Sequence, residues 1–354
     1  MGTLRFLLAL SVAYGHFTVS HGFPTGDIAV QSFFVVSGFY MAMVLREKYP
    51  PGSYWLFISN RLLRLWPAYI VVLVLSLVVA TNWRGIAALD PTIIAFFIAS
   101  HILIIGQDLH PYLFLDHGAL AFTAHFAEQS TPYYAYSPIQ QAWSLGLEIE
   151  FYLLAPFIVR LAPRFIAALI LASLGVRMGL QWTFGFSGDP WSYRFFPSEL
   201  ALFLAGSLGY LVLAAPTKTQ SMQARTLLPG VAVLIVACLS VNGSHSMARL
   251  ASLPVLAGVI LGVPYLFKAT KDIAWDKYLG ELSYPLYISH ILAAWIVLPE
   301  SYTGVYLALL ITLAFAVALY HLVDRPIDRW RQRRLRPHEP AIAITRLTPS
   351  VQSG

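Results

Sequence analysis

His16, Glu148 and His290 are ionisable side chains set inside stretches otherwise apolar enough to dissolve in lipid. A charge buried in a bilayer costs about 2.5–3.5 kcal/mol on insertion scales, so each such residue needs a partner, a water-filled cavity or a task. A neutral imidazole is tolerated at the depth of His16, and histidine titrates in the range where a base takes a proton from a hydroxyl near neutral pH. The competing assignment is a histidine hydrogen-bonded between helices, a common use of polar residues in membranes. In "WSLGLEIEFYLLAPF", Glu148 shares a helix face with Phe151 and Tyr152, while Glu150 turns elsewhere. That spacing lets one carboxylate face a cavity and the other an interface. Beside His16, Glu148 would fix the imidazole tautomer and stabilise the imidazolium; a purely structural His–Glu hydrogen bond is the alternative.

Three arginines extend the pattern. Arg5 precedes His16 by eleven residues, about 16 Å along a helix, so it snorkels to the membrane surface while His16 stays within the bundle. "RLLRLWP" puts Arg61 and Arg64 on one helix face, and paired guanidiniums suit the diphosphate or nucleotide phosphate of a cofactor. The same pair beside Trp66 would also serve as a membrane-surface anchor. No metal is expected, because the histidines form no ligand-like cluster with cysteines or carboxylates. Cys238, the single cysteine, sits in an apolar stretch and carries no disulfide information.

The elements holding these residues follow from composition. The chain is 58% hydrophobic and 11% charged, with mean hydropathy +0.66, far from the roughly 25% charged of soluble domains. It reads as an all-α, multi-pass integral membrane protein in contact with the lipid bilayer. Spans are expected near 4–20, 28–45, 65–81, 139–159, 165–182, 197–214, 228–243, 251–267, 279–297 and 303–323, each about the length needed to cross a hydrocarbon core of about 30 Å. The first is read as retained, not as a cleaved signal peptide, since no small-x-small site follows it.

Charge decides the status of a further apolar stretch, 92–107. If it does not cross, Arg5, Arg46, Arg61, Arg64, Arg160, Arg164 and the basic tail share one side, leaving Arg84, Arg194 and Arg249 on the other. That arrangement obeys the positive-inside bias. The expectation is therefore ten spanning helices, both termini cytoplasmic, and 92–107 as a re-entrant or interfacial helix on the outer side. Residues 108–138 then form the largest external loop, rich in Tyr, His and Pro, either a substrate-contacting surface or an aromatic interfacial cover. Residues 1–330 form one membrane domain; 331–354 are a basic and then disordered cytoplasmic tail. The net charge of +6 resides mostly at span ends and in this tail, and with no aromatic-flanked basic groove it does not indicate nucleic acid. Nothing in the sequence fixes an oligomeric state.

These residues occur in the order of a known family. The chain resembles the acyltransferase 3 family of integral membrane O-acyltransferases over about residues 4 to 330. The resemblance rests on Arg5 followed by His16, "SFFVVSGF" from Ser32, "RLLRLWPAY" from Arg61, "WSLGLEIEFYLLAP" from Trp143, "LGELSYPLYISH" from Leu279 and "VDRP" from Val323. It implies transfer of an acyl group, most often acetyl, from cytosolic acyl-CoA to a hydroxyl of a surface or secreted carbohydrate at a bacterial inner membrane. It implies no permanently bound cofactor, acyl-CoA being a substrate. By the same resemblance His16 is the essential histidine, Arg5 its basic partner, Arg61 and Arg64 the donor-binding pair, and Glu148 the first carboxylate of the tryptophan motif. The chain departs from the pattern at Ile149, where a second carboxylate is usual, and at Gln31, where many members carry Asp. No serine-nucleophile domain is expected after the last span.

The implied chemistry has His16 take the acceptor proton, with an acyl-histidine intermediate as a variant. A transporter or flippase for a lipid-linked sugar is the rival class, but it calls for two related halves with broken helices, and no internal symmetry is evident. A polysaccharide polymerase calls for more arginine in the external loops. A topology reporter fused after Arg164 is expected to read cytoplasmic; an external signal there would make 92–107 a full span and invert every later segment.

Overall fold

The computed structural model describes residues 1–18, 23–79, 83–125, 128–242, 246–297 and 301–335. The tail from Pro337, expected to be disordered, lies outside them. In chain order the helices are α1 (Gly2–Phe17), α2 (Gly26–Glu47), α3 (Tyr54–Val79), α4 (Trp83–Ala87), α5 (Pro91–Leu103), α6 (Trp143–Ile158), α7 (Pro163–Phe184), α8 (Phe196–Ala214), α9 (Lys218–Val241), α10 (Met247–Thr270), α11 (Ala274–Val297), α12 (Tyr302–Leu319) and α13 (Arg325–Leu335). Seven helical segments are long and apolar enough to cross a membrane: α2, α3, α7, α8, α9, α10 and the run Tyr302–Arg334. The other three expected spans are helical too. The 16-residue helices α1 and α6 each rise about 24 Å, and α11 carries Asp276, Lys277 and Glu281 in its first two turns.

The stretch expected to be re-entrant contains α5, 13 residues and about 20 Å long, which is short of a hydrocarbon core. Its boundaries are written in sequence: Asp90 accepts from the Thr92 amide at 2.8 Å, Pro91 opens the first turn, and Ile104 ends it in a left-handed conformation. The loop beyond departs from the all-α expectation. Leu113–Asp116 (β1) and Ala119–Phe122 (β2) pair antiparallel, Leu113 opposite Phe122. The two turn residues, His117 and Gly118, both have positive φ, as a tight two-residue hairpin requires. α13 also runs across the expected domain boundary at residue 330.

Within the bundle, α2 packs most extensively on α8, and α1 on α11. Both crossings use glycine to bring backbones together. A Cβ on Gly206 would lie 1.8 Å from the Val35 carbonyl oxygen, and one on Gly2 1.7 Å from that of Asp276. The Asp276 carboxylate also accepts from the Gly2 and Thr3 amides at 2.8 and 2.9 Å, satisfying donors at the start of α1. Inside the bundle, Arg177 from α7 pairs with Glu199 from α8 and donates to the Ser192 and Ser198 carbonyls. Gln31 from α2 completes the network by donating to Glu199 at 3.0 Å. Large side chains at the other faces, among them Val78, Leu171, Val233 and Leu310, point outward, as lipid requires.

Two outcomes follow. Gly206→Val is expected to lose about 3 kcal/mol or more of stability through overpacking, read as the melting temperature in detergent. Gly258→Ala, where an added Cβ meets nothing within 4 Å, should melt as wild type or slightly higher. Asp108, in the segment between α5 and α6, is buried with one carboxylate oxygen unpartnered. Burial pushes its carboxyl up to about 6 from an ordinary 3.8, so the folded state favours the neutral acid and loses stability as pH rises from about 4 to about 6. Asp108→Asn should flatten that decline, regaining on the order of 2–3 kcal/mol at neutral pH; an unchanged slope in pH-dependent melting would remove Asp108 as its source.

Candidate active site

Two cavities occupy opposite ends of the central helices. The first, about 340 Å³, lies where α1, α3 and α11 begin and α2 ends. Its charged lining comprises Arg5, Lys48, Arg61, Arg64 and Arg331 against Glu148 and Glu281. The second, about 440 Å³, lies where α1 ends and α2, α6 and α10 begin. His16 opens into it, together with Asp27, Gln141, Asp189, Arg194 and Arg249. Val30 and Tyr287 line both cavities and therefore form the partition between them.

The basic cavity gathers four residues singled out from sequence. Arg61 and Arg64 both face it, being three residues apart on α3. Arg64 pairs with Glu281 at 2.5 Å. Arg61 stands over the Phe57 ring at 5.6 Å, with no ion pair among the described residues and its Nε unpartnered. Arg5 lies 5.7 Å from the centre of the Tyr40 ring. Glu148 accepts from the Ser37 hydroxyl at 2.7 Å and from the Tyr152 hydroxyl at 2.5 Å.

The expected pairing of Glu148 with His16 is not made. Five residues into α6, Glu148 lies about 7.5 Å below the outer start of that helix. It turns toward Tyr152, one turn deeper still, and so toward the arginines. Helical periodicity correctly put Glu148, Phe151 and Tyr152 on one face, but a shared face does not specify which end of the bundle a side chain reaches. Arg5 is likewise separated from His16, since it lines the opposite cavity. Gln31 faces neither cavity because it is engaged with Glu199. Glu150, beside Asp108, lines a lateral apolar pocket and leaves Oε2 without a partner.

Around His16 the neighbours are ones sequence reasoning did not single out for this purpose. His290 is fully buried with its ring 5.0 Å from that of His16. Its Nδ1 is 2.5 Å from the Tyr287 carbonyl oxygen, which can only accept, so the proton sits on Nδ1 and Nε2 keeps its lone pair. The ring nitrogens of His16 make no hydrogen bond among the described residues and are available from the cavity. The Tyr287 hydroxyl is 2.7 Å from Ser144 Oγ and donates to the Gln141 carbonyl at 3.2 Å. Gln141 in turn donates to the Ile288 carbonyl at 2.7 Å, tying the turn that leads into α6 to α11. Asp27 pairs with Arg249 at 2.7 Å and Asp189 with Arg194 at 2.9 Å, so these charges largely balance. The Arg194 guanidinium stacks over Trp143 at 4.5 Å. Tyr287 does lie within the quoted "LGELSYPLYISH", one turn before His290; being un-ionised, it carried no signal of its own.

The arrangement provides a cationic cavity at one end, a histidine-bearing cavity of balanced charge at the other, and a two-residue partition. Among the described residues no group of His, Cys, Asp and Glu has the arrangement to hold a metal. Comparison with known proteins agrees with the order of motifs. An uncharacterized protein of Aquifex aeolicus (strain VF5) is 23% identical over 216 residues, covering 56% of this chain and 91% of that protein. No solved structure matches. The model of the third acyltransferase family, described as an acyltransferase domain, matches residues 2–322, which takes in His16, Arg61, Arg64, Glu148 and both cavities' central helices. The chain belongs to the acyltransferase 3 family and is a membrane acyltransferase.

Proposed function

We propose that the protein moves an acyl group, acetyl in the simplest case, from cytosolic acyl-CoA to a hydroxyl of a surface or secreted carbohydrate, working in a bacterial inner membrane with ten spans and both ends of the chain cytoplasmic. The supporting observation is that the basic cavity and the His16 cavity abut at Val30 and Tyr287. In this reading the nucleotide phosphates of the donor bind Arg61 and Arg64, with Arg5 adding to the same field. The pantetheine arm extends between α2, α6 and α11, and the thioester reaches the partition, where it meets the acceptor in near-attack range.

His16 accepts the proton of the acceptor hydroxyl as its oxygen attacks the thioester carbonyl carbon. The carbon–sulfur bond then breaks, and the departing thiolate takes that proton from the imidazolium, leaving ester and free thiol. The Tyr287 carbonyl fixes the orientation and tautomer of the His290 ring beside His16. Trp143, Tyr134 and Tyr193 with the two balanced ion pairs give the outer cavity aromatic faces and hydrogen-bonding edges, a lining matched to a sugar. Glu148 acts at the donor end, holding Tyr152 and Ser37 in place.

In cells carrying His16→Ala, base-labile acetate on surface and secreted carbohydrate is expected to fall by at least about a hundredfold, the usual contribution of a positioned general base. Arg61→Gln combined with Arg64→Gln should instead raise the KM for acetyl-CoA while sparing kcat. Wild-type acetylation by His16→Ala would end this mechanism; unchanged donor dependence in the arginine pair would return them to a membrane anchor.

A further inference from the structure

The family match ends at residue 322, yet the basic cavity does not. Arg331 and Gln332 of α13 line it alongside Arg61 and Arg64. The helix is fastened to α3 at two adjacent residues. Arg334 donates to the Ser59 hydroxyl at 3.2 Å, and Arg331 reaches the Asn60 carbonyl at 3.4 Å, one residue before Arg61. Arg331 also pairs with Asp328 on its own helix.

Charge in this cavity is not balanced within the protein. Five cations face two carboxylates. Glu281 is committed to Arg64, and Glu148 is turned into the Ser37 and Tyr152 hydroxyls. Arg331, with only 12% of its side chain exposed, lies within the electrostatic reach of both Arg61 and Arg64. Arg64 and Arg331 each have one carboxylate partner, Glu281 and Asp328, while Arg61 has none among the described residues, so three guanidiniums drawn together leave room for a polyanion to join them. A donor whose nucleotide end carries a diphosphate and a further phosphate has more anionic groups than the pair on α3 can serve.

We infer that Arg331 is a third phosphate-binding arginine of the donor site, supplied by a helix outside the family domain, and that it selects donors carrying the phosphorylated nucleotide. The inference rests on the acyl-CoA reading above. It changes the role of the basic tail, whose first part closes the donor cavity as well as marking orientation.

The test uses the full-length protein in detergent and measures binding of acetyl-CoA and of S-acetylpantetheine, which has the thioester arm but no phosphate. Arg331→Gln should weaken acetyl-CoA binding by about ten- to a hundredfold, the range of a lost charge-assisted contact. It should leave S-acetylpantetheine binding unchanged and shallow the salt dependence for acetyl-CoA; Arg331→Lys should recover part of the loss. Equal weakening of both ligands would mean a structural role and overturn the inference. So would unchanged acetyl-CoA binding in Arg331→Gln while Arg61→Gln and Arg64→Gln weaken it, a result that leaves the donor site standing. If wild type binds acetyl-CoA no more tightly than S-acetylpantetheine, the phosphate site and Arg331's part in it fall together.

Discussion

The docking of α1 on α11 sets the heights of Arg5 and His16, which line opposite cavities. Gly2 and Gly280 let the two backbones touch, and Asp276 accepts the first amides of α1, so this helix has one height against its neighbour. Sliding α1 along α11 would strand amides in a medium without water to satisfy them. From that fixed start His16 arrives beside His290 near the far end, while Arg5 stays at the near end with the α3 arginines. The distance between Arg5 in one cavity and His16 in the other is thus set by a count of helical residues, a ruler that does not flex.

Polar groups elsewhere in the bundle obey the same rule that lipid imposes. Arg177 and Glu199 neutralise one another, and Gln31 adds a hydrogen bond, across α7, α8 and α2. Removing one member of such a buried set leaves a charge unpaired, a loss of about 3–5 kcal/mol. The neutral Gln31, where a carboxylate is common among relatives by resemblance, fits because Glu199 already supplies the anion at that point. Unpartnered polar atoms occur at Asp108 and Glu150, and in the two cavities they fall on candidate site residues. His16 has an unsatisfied ring facing space, and Arg61 an unsatisfied guanidinium facing another.

Much of this was legible before any coordinates. Long apolar runs can only be helices in lipid, and the ten expected segments are all helical. Ionisable residues within them pointed to His16 and Glu148, and the paired guanidiniums just ahead of one span to Arg61 and Arg64, all of which line one of the two cavities. What sequence could not convey was depth. Periodicity reports a direction around a helix axis, so Glu148 was matched with the wrong end of the bundle. Arg177 and Glu199 fall inside expected spans but cancel each other, and so leave no outward sign. Tyr287 and Ser144 are unremarkable by type; only their placement at the partition makes them matter. The β1–β2 hairpin escaped because four-residue strands yield almost no alternation, although the His117–Gly118 turn residues were there to read.

The turn joining α12 to α13 has a consequence of its own. Residues Tyr320–Asp324 wind as a π-helix, which takes in more chain per revolution than the α-helix on either side. Each residue of an α-helix advances its side chain by about 100° of rotation, so one surplus residue re-clocks everything downstream by that angle. Ahead of the wide turn, α12 buries Val305, Ala308, Thr312, Ala316 and Leu319; behind it, the same continuous rod brings Arg331 and Gln332 to the basic cavity. Shortening the turn by one residue would hand the bearing of Arg331 to the uncharged Gln332.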